Sequence, residues 1–512
     1  MSNSKKNRTG FEMNIGSPKE SKQQIITDQG QPQATGDEVF CMAIIGDFSG
    51  RDQQQRIEPK TIGKRRFIEV DRDNIEELMS KFDLNLRLTL DGVDEAFEIS
   101  ISEFDDFHPD QLYENVEIFS QLRQLRNRLE SNKTFAEAAC EIQGWLIKDD
   151  VQEQATESPK PTDPAPDISS ENLLDSVFDA SRESQSDGSS VSGSTMVDNL
   201  VRQIVGPYVE AGPDPRQAEM VAAVDQAISS HLQFILHHPD FQAMESAWRS
   251  LNFLVSQAET GPRLRLYLLD VSRTELERDL ATDDITSTGL YKRFCDPAPG
   301  DEEWGLIVGN YKFTDQIEDM LLLLQIGAIA RQAKAPFIAA ANETLVGCES
   351  FAITPDVDDW HYSSKPEVQK AWRMLRQTDE AGYLALVTPG FLLRAPYGKK
   401  SKPIESFKFE EMPETACHSC YLWGNGAFVK AAQMARAFAK SGWQMSPEQE
   451  YKIENLPMHY FDDEGETVLK PCAEILLTEQ GGRKILAQGL IPLWSVKNSD
   501  SLHSSDFNFI AE

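Results

Sequence analysis

The 512-residue chain is predicted to fold as an α/β (α+β) protein. A small N-terminal α+β unit and a larger three-layer α/β domain are expected, joined by a disordered acidic linker. Three observations predict this. Short apolar runs with β-branched members alternate with segments of helical apolar spacing. Several of those runs are nearly continuous, which marks strands buried on both faces. Between the two parts lies a bridge, Val151 to Thr195, rich in Ser, Pro, Asp and Glu. Its flanks offer too little apolar area to offset the entropy of ordering. The expected organisation is a disordered arm over 1–36, a small domain over 37–150, a linker over 151–195 with a short helix at 171–179, and a large domain over 196–512.

In the N-terminal part, Val39-Phe40-Cys41-Met42-Ala43-Ile44-Ile45 reads as a buried strand, broken by the turn residues Gly46 to Arg51. Phe67 to Val70 reads as a second strand. Asp73 caps a helix through Met79. Leu84, Leu86, Leu88 and Leu90 alternate with polar residues, as do Phe97, Ile99 and Ile101, and Asp91-Gly92 between them signals a hairpin turn. One helix is expected from Pro109 to Glu130, with Leu112, Val116, Phe119, Leu122, Leu125 and Leu129 on one face. Thr134 to Ile147 offers a further helix.

In the C-terminal part, Asp198 to Ile204 and Glu219 to Leu236 read as helices, the second ended by His237-His238-Pro239. Phe241 to Val255 is another amphipathic helix. Leu264 to Leu269 reads as a strand, and Ser272 with Glu275 forms a capping box that opens the next helix. Trp304 to Tyr311 reads as a buried strand and turn, Thr314 to Ala335 as a long helix, and Phe337 to Ala340 as a buried strand.

The formal charge is −33, of which the bridge supplies about −7 from nine acidic and two basic residues. Such a chain is repelled by nucleic acid and by anionic membranes. Lys64-Arg65-Arg66 and Lys399-Lys400 with Lys402 are too short to change that balance and read as solvated loops. Seven scattered cysteines suit a reducing compartment. No apolar run approaches the roughly 18 residues of a membrane span. The expected location is cytoplasmic.

Cys417-His418-Ser419-Cys420 is a CxxC that could be half a zinc site or a redox pair. No second CxxC or His pair stands at fitting spacing, and the plain reading is a partly buried strand end. His237-His238 reads as structure, because adjacent side chains at a helix end point apart. Glu410-Glu411 and Asp462-Asp463 read as solvated acidic pairs. No GxxxxGK[ST], GxSxG or HExxH is present, so no enzyme, catalytic residue, cofactor or metal is expected. The bridge carries one apolar island, Asn172 to Phe178. Leu173, Leu174, Val177 and Phe178 are spaced along one face of a helical turn, either as a transient sticky segment or as anchors for a groove.

Ile44-Ile45-Gly46-Asp47-Phe48-Ser49-Gly50-Arg51, Arg66 to Asn74, and Phe104-Asp105-Asp106-Phe107-His108-Pro109-Asp110 together resemble the small sheath subunit of the bacterial type VI secretion system (TssB/VipA type). The block Gln233 to Leu251 resembles the large sheath subunit of the same machine (TssC/VipB type). So do Ala335 to Ala341, Leu393-Arg394-Ala395-Pro396-Tyr397-Gly398, Tyr421 to Ala427 and Gln488 to Leu493. The resemblance implies a structural protein, a natural fusion of both subunits in the contractile sheath. Copies would assemble with themselves or with other sheath subunits around an inner tube protein, on a baseplate, and contract to drive effector delivery. The alternative is an accessory sheath-like protein that caps, nucleates or regulates a sheath of separate subunits. The resemblance also implies that an AAA+ unfoldase of ClpV type recognises Leu173, Leu174, Val177 and Phe178. Strands exchanged between neighbours are implied as well, with residues 20–40 and 495–512 as candidate linkers. In the family the two subunits meet in an outer domain, built from the end of one and the start of the other.

Overall fold

The computed structural model describes residues 39–89, 96–142, 217–296, 303–412, 417–445, 452–463 and 465–512. The arm at 1–36, the linker at 151–195 with Leu173, Leu174, Val177 and Phe178, the Asp91-Gly92 turn and the Asp198–Ile204 segment lie outside the described residues.

The strands, in chain order, are β1 (Phe40–Gly46), β2 (Ile68–Val70), β3 (Leu84–Thr89), β4 (Ala96–Ile101), β5 (Leu264–Asp270), β6 (Trp304–Phe313), β7 (Phe337–Ala341), β8 (Leu384–Thr388), β9 (Phe391–Leu392), β10 (Trp423–Gly424), β11 (Lys452–Ile453), β12 (Tyr460–Asp463), β13 (Glu466–Leu469), β14 (Ile491–Ser495) and β15 (Leu502–Ser504). Nine of them form one sheet in the order β11-β15-β14-β8-β7-β6-β1-β5-β2. The six strands from β14 to β5 run parallel, and β2, β15 and β11 pair antiparallel at the two sides. Every residue of β1, β7 and β8 is buried. Their unbroken apolar sequences therefore follow from helices covering both faces.

β1 decides the topology. Read from the sequence, it belongs to a small unit separate from the large domain. In the structure it lies between β5 and β6, with Phe40 opposite Leu264, Ile44 opposite Leu268, and Ala43 opposite Ile307. β2 adds to the outer side of β5, with Glu69 opposite Tyr267. The physical reason is that a fully apolar strand needs partners and cover on both sides, which the 37–150 segment alone does not provide. The chain clusters into two compact units whose boundaries cross the sequence division. The first comprises residues up to Arg87, Glu98–Pro109 and Ile235–Glu512; the second comprises Leu88–Phe97 and Asp110–Phe234.

In the first unit, Phe40 stacks on Phe438 at 5.0 Å and meets Trp443 edge-on at 5.3 Å. Gly305 is required beside it, because a Cβ there would lie 2.2 Å from the Phe40 ring. The helix Gly426–Ser441 buries most of its length, and Ile317–Ala333 buries one face through Met320, Leu323, Ile326 and Ala330. The segment expected to be a strand and turn over Trp304 to Tyr311 is instead one strand that continues to Phe313, with a register shift against β7 between Val308 and Lys312. The C-terminal tail is docked on its own chain. β15 pairs with β14, Ile510 is fully buried, and the Ile510 N–H donates to Leu384 O at 2.9 Å.

In the second unit, the end of the small-subunit-like segment packs with the start of the large-subunit-like one. Arg126 Nε donates to Asp225 Oδ1 at 2.5 Å, and Gln217 Nε2 to Leu129 O at 2.6 Å. Leu122, Leu129, Ala138 and Ile142 are buried here, as are Val224, Ala227 and Ile228. The helix expected over Pro109–Glu130 is two helices, Pro109–Asn115 and Glu117–Glu130. Val116 between them is extended at φ −75°, ψ 126° yet stays buried. Asn115 and β-branched Val116 are weak helix formers, so bending there costs little. The first helix, Ile75–Phe82, starts from Asn74, not Asp73. Asn74 exchanges hydrogen bonds with Asp71 instead, Asp71 N to Asn74 Oδ1 at 2.9 Å and Asn74 N to Asp71 Oδ1 at 3.0 Å.

Candidate functional site

Two buried polar networks hold the first unit together. The first is built where β1 and β5 end, by the turn Gly46 to Arg51. Phe48 N and Ser49 Oγ donate to the two oxygens of Asp270 at 2.8 and 2.7 Å. The Asp47 carboxylate accepts from Arg51 N at 2.7 Å and Asp52 N at 2.9 Å, which closes the turn. Burial, above all, pushes the Asp47 carboxyl up to about 6.

At the centre of this network is Glu275, fully buried in the capping box that opens the Arg273–Leu280 helix. Its carboxylate accepts from Arg65 at 2.6 and 2.8 Å, Arg51 Nε at 2.9 Å, and Glu58 N at 2.8 Å. Burial acts to raise this carboxyl. The hydrogen bonds from Arg65 and Arg51 and from the Glu58 and Ser272 amides outweigh it and hold Glu275 at about 2. Arg65 also donates to the Asp270 carbonyl at 2.7 Å. The sequence places Arg65 in a solvated basic loop; here it is a clamp between two distant segments. The capping box gave half of this site, since Ser272 and Glu275 are local. The arginines that complete it carry no local signal.

The second network surrounds Arg394, which is 6% exposed. Its guanidinium forks onto Glu411 at 2.7 and 2.9 Å and onto Glu245 at 2.8 and 3.2 Å. Tyr397 N also donates to Glu411 at 2.7 Å, and Arg249 Nε to Glu245 at 2.7 Å. Burial opposes the charge on Glu411, and Arg394 overrides it to hold the carboxyl at about 2. Glu411 is fully buried, so the solvated reading of Glu410-Glu411 fails for its second member. The signal available was the apolar setting of Arg394 between Leu393 and Ala395-Pro396. Paired in this bidentate way, two carboxylates and two guanidiniums balance.

Of the other residues singled out, His238 caps the Pro239–Gln257 helix, accepting from Asp240 N at 3.2 Å, and His237 lies 3.7 Å from Glu411. Asp462 and Asp463 close the β12–β13 hairpin. Cys417 precedes a single 3₁₀ turn, His418–Cys420, that leads into β10. Leu173, Leu174, Val177 and Phe178 cannot be placed, being outside the described residues. Among the described residues, no group of three or more His, Cys, Asp or Glu is arranged to hold a metal ion. No helix among them is long and apolar enough to cross a membrane. Both networks fix segments against each other, which is the chemistry of a joint.

Two sequence families match the chain. Residues 218–506, more than half of it, match the family described as EvpB/VC_A0108, tail sheath N-terminal domain (VipB). Residues 27–152 match the family described as Type VI secretion system, VipA, VC_A0107 or Hcp2. A curated relative is the type VI secretion system sheath protein TssC1 of Pseudomonas aeruginosa strain PAO1, 33% identical over 291 residues. The match covers 55% of this chain and 58% of that protein, so the chain spans about three-fifths of the relative's length.

Proposed function

The chain belongs to the VipB tail sheath family and carries a VipA-type segment in the same polypeptide, and from that premise we propose that it is a fused subunit that builds a contractile sheath around an inner tube. One observation carries the reading. β1, from the VipA-like segment, is seated between two strands of the VipB-like segment. Two separate chains sharing such a sheet form an obligate pair, and fusing them keeps that pair at one to one. Heterologous contacts between such units build open helical filaments. Contraction is then a change between two packings of the same units, driven by energy stored at assembly. The partners in this reading are other sheath subunits, the inner tube, a baseplate and a ClpV-type unfoldase.

Negative-stain microscopy of the chain co-expressed with its inner-tube protein tests the assembly. Tubes or cogwheel-like cross-sections are expected. A persistent monomer in the presence of the tube protein refutes it and favours the accessory reading, in which the chain caps, nucleates or regulates a sheath of separate subunits. Recognition by the unfoldase rests on the apolar spacing of Leu173, Leu174, Val177 and Phe178. A pull-down with the unfoldase N-terminal domain should lose binding in the Leu174→Asp, Phe178→Asp double variant. Equal capture of wild type and variant removes that part of the proposal.

A further inference from the structure

The CxxC at residues 417–420 is not used by either network, and its geometry fits covalent chemistry. Cys420 N donates to Cys417 O at 3.2 Å, closing a four-residue turn. Such a turn holds its first and last Cα atoms within about 7 Å, and disulfides span roughly 4.4–6.8 Å between Cα atoms. Cys417 Sγ lies 3.2 Å from Ser419 Oγ. Cys417 is partly exposed, while Cys420 is buried. The turn is held from outside the motif. Gln242 Nε2 donates to Ser419 O at 3.0 Å, and Trp423 Nε1 to His418 O at 3.0 Å.

We propose that Cys417 and Cys420 form a redox pair, which closes reversibly into an intramolecular disulfide by exchange with a low-molecular-weight disulfide such as oxidised glutathione. The inference stands on this turn alone and does not depend on the sheath reading.

The two cysteines have unequal roles. Partial burial opposes ionisation of Cys417, but hydrogen bonds from Cys420 and Ser419 overcome it and hold the thiol below its ordinary value. Burial first, and the neighbouring Cys417 next, push Cys420 up to about 12. Cys417 is thus the attacking thiolate and Cys420 the resolving thiol. In the first step the Cys417 thiolate attacks one sulfur of glutathione disulfide. That S–S bond breaks, and one glutathione leaves as thiolate. In the second step Cys420 gives up its proton and attacks the Cys417 sulfur, expelling the second glutathione thiolate. The protein loses two protons and two electrons, and one glutathione disulfide becomes two glutathiones. A zinc half-site, the other use of this motif, lacks further ligands among the described residues.

The test uses the reduced full-length chain, equilibrated in glutathione buffers from reducing to oxidising. The samples are acid-quenched, alkylated in denaturant and mapped by peptide mass. Phe409 to Lys430 is one tryptic peptide that carries both cysteines. In oxidising buffer both should lose their alkyl labels together, and the peptide should be lighter by two hydrogens with no glutathione attached. Cys420→Ser should trap one glutathione on Cys417. Cys417→Ser should leave Cys420 fully alkylated. Exposed Cys140 reports that the buffer is oxidising. Both cysteines remaining alkylated where Cys140 carries glutathione overturns the proposal. So does a stable glutathione adduct on Cys417 of the wild-type chain.

Discussion

Replacing Glu275 by Gln removes one negative charge and one acceptor from the clamp that ties the Arg51 and Arg65 segment to the Arg273–Leu280 helix. Glu275 is fully buried, while Arg51 and Arg65 have side-chain exposures of 13% and 15%. Its carboxyl is held at about 2 against an ordinary 4.5. At about 1.4 kcal/mol per pKa unit, that difference amounts to about 3 kcal/mol of stability at neutral pH. Breaking a buried ion pair by removing one partner costs about 3–5 kcal/mol, which agrees. A depressed carboxyl contributes fully above its unfolded-state value and loses that contribution as pH falls through its folded value. The deficit of Glu275→Gln should therefore be about 3 kcal/mol at pH 7 and shrink to about 1–1.5 kcal/mol near pH 3. Urea unfolding of the full-length chain and the variant at both pH values measures it. Trypsin should also cut the variant faster at Arg51 and Arg65. A deficit under about 0.5 kcal/mol at pH 7, below the range for a broken buried pair, would refute the reasoning. A deficit equal at both pH values would do the same, by showing that the charge is not what stabilises.

Glu411→Gln should lower the thermal midpoint strongly, by an amount equivalent to about 3–5 kcal/mol, because Arg394 and Arg249 are left with one carboxylate; Arg394→Lys should lower it as well, since a lysine cannot fork onto Glu245 and Glu411. Gly305→Ala should cost about 1–3 kcal/mol by overpacking against the Phe40 ring, and Phe40→Leu in the same chain should recover part of it. Lys430 is fully buried, donates to Ser504 Oγ at 3.1 Å and Ser505 O at 2.8 Å, and is pushed by burial down to about 8. The unfolded chain binds that proton more tightly, so stability should rise as pH goes from about 8 to 10.5. Thermal midpoints across that range should show the rise in wild type and not in Lys430→Met.

Elements up to β7 were readable from residue spacing, because the apolar runs of β1 and β7 are unbroken and the Ser272–Glu275 box is local. Pairing was not. Parallel neighbours are distant in the chain, so nothing near Phe40 points to Leu264. The same holds for the polar joints. Arg65 and Glu411 sit among other charges in a chain of −33, and only the fold separates a buried partner from a solvated one. The break at Val116 was missed because its apolar side chain keeps the helical period while its backbone leaves it. The tail at 495–512, expected as a strand given to a neighbour, packs on its own chain here through β15 and Ile510.

The position of β1 also sets a timetable for the nascent chain. Phe40 is made about 220 residues before its partner Leu264, and the other neighbour, β6, emerges later still. At roughly 5–20 residues per second, the strand waits about 10–50 s on the ribosome before both sides of its slot exist. During that interval Phe40 to Ile45 is an unpaired apolar strand of the kind that aggregates. Two separate messages would lengthen the wait to a diffusive search between polypeptides. A single reading frame turns it into a fixed delay, ended by the chain's own growth.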